Sequence, residues 1–351
     1  MQRTQITGFE PAYLHTENAQ SIGVAAGVRL LHELAEEDRP NVIVRSGAKG
    51  GMRLDGLTHR ERKQYGLLTD HRGMQSPLLT SFLETGAQII RTAKAHGMPI
   101  KRVFIPFFHG ESDAGLDRKE YADRLCDLIS LVSNEFSALG VETTWLLAQP
   151  GGTSSEGSGN RWPNRLALFD VEDKFANAVL TIANYSYPMA DNSHIGATGK
   201  ALIGEKLGIA ISELMSGQAR SLPRPLSASF QNKSVDIKLS GDCGLALDRS
   251  EFPAAHSSDG FSTSLRSALI VQSSEIMSGN TVRLQLAGVL PRRDFQVHYA
   301  FSNLRQPDRY QSDGFPFGRG SLRTTRVKQS ILIPGKNIYD WVPAFTVSVS
   351  K

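Results

Sequence analysis

The sequence predicts an α/β unit, a parallel sheet with helices on both faces, followed by a C-terminal β-sandwich. Three observations predict it. Short apolar runs alternate with amphipathic helical segments from about residue 17 to 215, the pattern of a covered parallel sheet. The pattern changes near Gly217, where Ser221-Leu222-Pro223-Arg224-Pro225 reads as a linker. Beyond it, segments such as Val235–Leu239 and Val282–Leu286 alternate with period two and no strong helix follows, as in two packed antiparallel sheets. The expected division is therefore 1–217 for the α/β unit, 218–225 for the linker and 226–351 for the sandwich.

The elements follow in order. Glu17–Glu37 reads as a helix, with Val24, Val28, Leu31 and Leu34 at three- and four-residue steps and Asn18 or Ser21 as its cap. Val42-Ile43-Val44 reads as a short buried strand running into Ser46-Gly47-Ala48-Lys49-Gly50-Gly51. Ser76–His96 is a helix with Pro77 in its first turn and Gly97 after its end. Val103–Phe108 is the next strand, and Lys119–Leu139, closed by Gly140, the next helix. Thr143–Leu147 and Val179–Ala183 are strands flanking a helical Leu166–Ala178, and Gly199–Met215 is the last helix. Phe295–Ala300 and Phe345–Val349 add strands to the second unit.

Composition narrows the function classes. The 351 residues are 40% hydrophobic and 21% charged, a globular composition. The net charge of +4 comes from 39 basic and 35 acidic residues, interspersed along the chain. That is no footprint for nucleic acid. No apolar run is long enough to span a membrane as a helix, and no signal peptide is visible, so the compartment stays open. Cys126 and Cys243 lack metal-ligand spacing and read as buried thiols. No metal or cofactor is implied.

Three clusters carry the chemistry. Asp191-Asn192-Ser193-His194 sets an acid and an imidazole three residues apart, after a strand and ahead of the last helix. A carboxylate on the far ring nitrogen would fix the tautomer of His194 as a general base. His109-Gly110-Glu111-Ser112-Asp113-Ala114 follows a buried strand, where ligands bind in open α/β sheets, and Asp117 caps the next helix. Ser112 also stands near a G-x-S-x-G elbow, making it a candidate nucleophile. The glycines of the Ser46–Gly51 run would let backbone N–H groups face an oxyanion.

Together, Gly50-Gly51, His109-Gly110-Glu111-Ser112-Asp113-Ala114 and Asp191-x-x-His194 resemble the later blocks of the sialate O-acetylesterase-like branch of the SGNH hydrolases, over about residues 17–215. The resemblance implies a flavodoxin-like sheet and a carbohydrate esterase acting on O-acetyl esters, with an acylated carbohydrate as partner. It makes His194 the general base, Asp191 its orienting group and Gly51 a backbone donor. Gly50, His109, Gly110 and Glu111 would shape the oxyanion and substrate pocket. Gly318-Arg319-Gly320-Ser321-Leu322-Arg323 and Tyr339-Asp340-Trp341 resemble fragments of modules attached to such esterases.

The family's first block, a strand ending in Gly-(Asp/Gln)-Ser, has no clear counterpart. Ala19-Gln20-Ser21 has the letters, but the residues before it are too polar for a buried strand. Ser21 reads as a helix cap or, second, as the nucleophile. The expectation is an absent serine block, with Val42–Val44 and Val103–Phe108 on either side of a strand position. The alternative is a non-catalytic glycan-binding protein or an inactive esterase homologue.

Overall fold

A computed structural model describes residues 21–48, 50–54, 68–69, 75–113, 115–151, 162–190, 194–218, 221–250, 258–265, 269–288, 294–300 and 319–350. Asp191, the tip of the 151–159 glycine-serine stretch, Gly318 and the residues ahead of Ser21 lie outside them.

Helix α1 spans Ser21–Glu33. Strands β1 (Leu68–Thr69) and β2 (Gln75–Ser76) form a small antiparallel pair. Then come α2 (Leu78–Ala95), β3 (Arg102–Phe108), α3 (Arg118–Ser137), β4 (Glu142–Gln149), α4 (Trp162–Lys174), β5 (Ala178–Ala183) and α5 (Ala197–Met215). Glycines with positive φ follow three of the helices, Gly97 (73°), Gly140 (75°) and Gly217 (73°), the left-handed stop that a Cβ disfavours.

Strands β3, β4 and β5 make one parallel sheet in that order, with Val103 level with Thr143 and Phe108 with Ala148. Alternate side chains go to opposite faces. Val103, Ile105, Phe107, Trp145, Leu147 and Leu180 pack with α2, α3 and α4. Phe104, Phe108, Leu146, Ala148 and Ile182 pack with α1 and α5. Helices therefore cover both faces. In α5, a Cβ on Gly204 would sit 2.5 Å from Ala25 Cβ and one on Gly208 2.5 Å from Ala26 O, so these glycines are what lets α1 lie directly on α5.

Val42–Val44 is a correction. The stretch forms no strand, and Val42 and Ile43 are 38% and 39% exposed. Three apolar residues make a strand only where a neighbour completes the ladder. Here Val42 and Val44 lie against Gly27 and Gly23 of α1. Among the described residues β3 pairs with β4 alone, and it carries Pro106, a residue found at sheet edges because it has no N–H to give. No strand spacing across β3 is therefore measurable between the two segments.

The second unit runs β6 (Pro225–Gln231), β7 (Ser234–Leu239), β8 (Leu245–Leu247), β9 (Phe261–Thr263), β10 (Leu269–Met277), β11 (Thr281–Gly288), β12 (Phe295–Tyr299), β13 (Leu322–Gln329), β14 (Asn337–Trp341) and β15 (Phe345–Ser350). A seven-stranded sheet has the order β10-β11-β7-β6-β15-β12-β9 and a three-stranded sheet the order β14-β13-β8. Thr263 Oγ1 donates to Leu269 O at 2.7 Å, bringing the first sheet's two outer strands together at one corner.

The units share a core. Tyr185 OH donates to Val342 O at 2.6 Å and lies 3.2 Å from Tyr299 OH. Gln149 bridges Ala344, accepting from its N at 2.7 Å and donating to its O at 2.9 Å. The carboxylate of fully buried Glu205 on α5 accepts from Arg29 of α1 and from the N–H groups of Ile331 and Leu332 between β13 and β14. The joining segment is itself packed: Leu222 is buried and its N–H donates to Leu180 O at 3.3 Å. Cys126 and Cys243 are half-buried thiols outside any disulfide. No described helix is long and apolar enough to cross a membrane.

Candidate active site

Parallel strands bring their carboxyl ends to one side, and the first loop there follows β3. His109 ends the strand between two rings, with Phe107 at 5.3 Å and Tyr121 at 5.9 Å between centroids, both near-parallel. Its Nε2 lies 3.0 Å from Met52 O and its Nδ1 3.1 Å from Tyr121 OH. A carbonyl only accepts, so Nε2 carries the proton in the neutral ring and Nδ1 accepts from the tyrosine. Burial holds the imidazole below its ordinary pKa, opposed by the Glu111 carboxylate and the Met52 carbonyl. Tyr121 is pushed well above its usual value by burial and by the Asp113 and Glu111 carboxylates. Both ring nitrogens of His109 are thus committed inside the protein. The side chain ties this loop to Met52 and Tyr121.

The same contact seats the glycine turn. Gly51 has φ 74° and precedes Met52, so the Gly50-Gly51 turn and the His109 block meet although 57 residues separate Met52 from His109. Asp113 locks this arrangement: it is 2% exposed, its Oδ2 accepts from Leu54 N at 2.7 Å and lies 3.5 Å from His109 Nε2. Arg53 Nε donates to Ser112 O at 3.0 Å. From α4, buried Asn164 gives its amide to Gly110 O at 2.8 Å and Asp113 O at 3.0 Å. Gly110 has φ 125°, and a Cβ there would meet Pro150 Cγ at 3.0 Å, so glycine is needed where the loop passes the end of β4. Glu111 and Ser112 are half-buried on this loop, whereas Ser46 and Gly50 are exposed. Asp117 caps α3 as expected, its Oδ1 accepting from Glu120 N at 2.7 Å.

His194 stands on a separate turn beyond β5. An antiparallel bridge joins Met189 to Ile195, Ala190 N donates to His194 O at 2.7 Å and Gly196 N to Pro188 O at 2.9 Å. These bonds hold Pro188–Ala190 against His194–Gly196 ahead of α5, with His194 exposed. Asp191 lies outside the described residues. Ser21 is the first residue of α1. Sequence reasoning did not find Met52, Tyr121 or Asn164. The polar Asn164 after Trp162-Pro163 at a helix start was the one visible signal.

No family model matches the sequence, and no curated protein matches it. One solved structure similar in fold is described as a novel carbohydrate acetylesterase from Xanthomonas citri. The two chains are 15% identical with a TM-score of 0.55, over 93% of this chain and 65% of the other. This chain thus spans about two thirds of that neighbour's length, and what the two share is a carbohydrate-esterase-like fold.

Proposed function

We propose that the chain is a carbohydrate esterase that removes acyl groups, acetyl foremost, through a serine hydroxyl activated by His194 and Asp191. The observation that carries this is the meeting of the Gly51 turn with the His109–Asp113 block at the carboxyl end of β3, within a fold like that of a carbohydrate acetylesterase. In this reading His194 takes the serine proton as the Oγ–carbonyl bond forms, and Asp191 holds its tautomer. The Gly51 turn offers backbone N–H to the oxyanion. The proton then passes to the sugar oxygen as the ester bond breaks, and water repeats the sequence on the acyl-enzyme to release acetate. The serine block of the resemblance has no clear counterpart in this sequence; Ser112 and Ser21 are the secondary candidates for the nucleophile within it.

The test is acetate release from acetylated xylo-oligosaccharides, with fluorophosphonate labelling of the reactive serine. If Ser112 or Ser21 serves as the nucleophile, the wild type releases acetate and takes up one label, whose position mass mapping identifies. His194→Ala should lower turnover at least about a hundredfold, and Asp191→Asn should lower it as well. Full turnover in both variants removes the pair from the mechanism. A wild type that neither releases acetate nor labels is not an esterase.

A further inference from the structure

A cleft of about 450 Å³ opens where the α/β unit meets the seven-stranded sheet, a volume within the usual range for small-molecule clefts, roughly 300–1,000 Å³. Its floor is a polar strip on β12 and β15. The register sets Gln296 opposite Ser348 and His298 opposite Thr346, so these four side chains share one face. The intervening Phe295, Val297, Phe345 and Val349 are buried on the other. His298 Nδ1 lies 2.9 Å from Thr346 Oγ1.

The wall comes from the other unit. Trp162, at the start of α4, meets the His298 ring edge-on with centroids 6.0 Å apart at 86°. Arg118, at the start of α3, also lines the cleft and gives Nε and Nη2 to Asp170, each at 2.7 Å. The guanidinium is thus neutralised by a partner that is not ligand. Four hydrogen-bonding side chains beside an indole, with the lining Arg118 already paired to Asp170, suit a neutral polyhydroxylated ligand. An anion would find the arginine occupied, and an apolar ligand would cover the Gln296 amide and the Ser348 hydroxyl without offering them a partner. A sugar offers C–H faces to the indole and hydroxyls to the amide, imidazole and hydroxyl groups.

We infer that this cleft is an oligosaccharide-binding subsite shared by the two units. Helices α3 and α4 begin at the carboxyl ends of β3 and β4, so the cleft opens at the end of the sheet that carries the candidate active site. The subsite would hold sugar units beyond the one that bears the acyl group, and it rests on the esterase reading for that role only.

The test uses unesterified xylohexaose, cellohexaose and mannohexaose with the whole chain, so binding is read without hydrolysis. Of the three tryptophans, Trp145 and Trp341 are buried and Trp162 half-buried. A sugar in the cleft should therefore shift the intrinsic fluorescence saturably. Calorimetry should show Trp162→Phe and exposed Gln296→Ala each weakening the best-bound sugar about tenfold, the loss of one good contact. No saturable binding of any of the three overturns the inference, as does binding that both variants leave unchanged. Tighter binding of inorganic sulfate than of sugar overturns the ligand class. A chain that binds but releases no acetate keeps the subsite and loses the esterase reading. One that releases acetate but does not bind does the reverse.

Discussion

The loop after β3 and the turn before α5 leave the same sheet at the same end, yet they are built in opposite ways. In the first, His109, Asp113 and the Gly110 carbonyl are all held by Met52, Tyr121, Leu54 and Asn164. The second is closed by backbone bonds across Met189 and Ile195 and presents an exposed His194. Residues matching one set of motifs thus divide into a buried, mutually bonded group and an exposed imidazole. A buried polar group gains from being fully satisfied, and in the proposed reading a base must reach its proton.

This contrast can be broken most decisively at Asp113. Asp113→Ala removes the acceptor of Leu54 N and should cost about 1–3 kcal/mol of unfolding free energy by urea titration, the penalty of an orphaned buried donor. His194→Ala should stay within about 0.5 kcal/mol of the wild type, as exposed substitutions do. Equal losses in both would remove the distinction between the two loops.

A smaller effect sharpens it. Burial holds His109 below the ordinary imidazole value, about 6.5. Between that value and the folded one, the unfolded chain binds the extra proton. Stability therefore rises with pH through this window and is lost as pH falls through it, while above about 6.5 the contribution is constant. Urea midpoints from about pH 7.5 down to 5 should fall less steeply in His109→Gln than in the wild type. Parallel curves would show that His109 carries none of the dependence.

The smallest expected change concerns the boundary. We propose 1–217 and 226–351 as two units that fold against each other, with 218–225 packed between them. Leu222 and Pro223 are buried, and Arg224 reaches Asp173 at 2.5 Å. Limited proteolysis should leave Ser221–Pro225 uncut while the fold is intact, because a protease needs an exposed, openable backbone. Early cleavage there would make the segment a loose tether.

Local signals gave much of this fold and stopped where contacts became distant. Apolar periodicity and glycine stops place α2, α3, α5 and β3–β5 to within a few residues. Helix α4 begins at Trp162, ahead of the expected Leu166, because Pro163 suits a first helical turn. The stretch Val42–Val44 misled because apolar content alone does not say whether a strand partner or a helix lies alongside. The motif block around His109, Gly110 and Glu111 was legible as a candidate site. Its supports were not: Met52, Tyr121 and Asn164 look like ordinary core or helix positions until the chain is folded. The four polar side chains of the cleft were equally hidden, since an outward-facing Gln, His, Thr or Ser is unremarkable until a facing helix brings an indole.

The carboxylate of Glu205 carries a consequence for how such a chain can be inherited. It is fully buried on α5, yet it takes two of its hydrogen bonds from Ile331 and Leu332, and Ser330 Oγ donates to it as well. Exchange of the β unit for an unrelated one would leave this anion with Arg29 alone and strip the three hydrogen bonds it takes from residues 330–332, each a loss of about 1–3 kcal/mol for a buried charged acceptor. Recombination between genes could therefore trade this appendage only as a matched set, carrying the 330–332 turn or replacing Glu205 and Arg29 together. A lineage that kept the glutamate would be one in which the two halves had travelled as a single heritable piece.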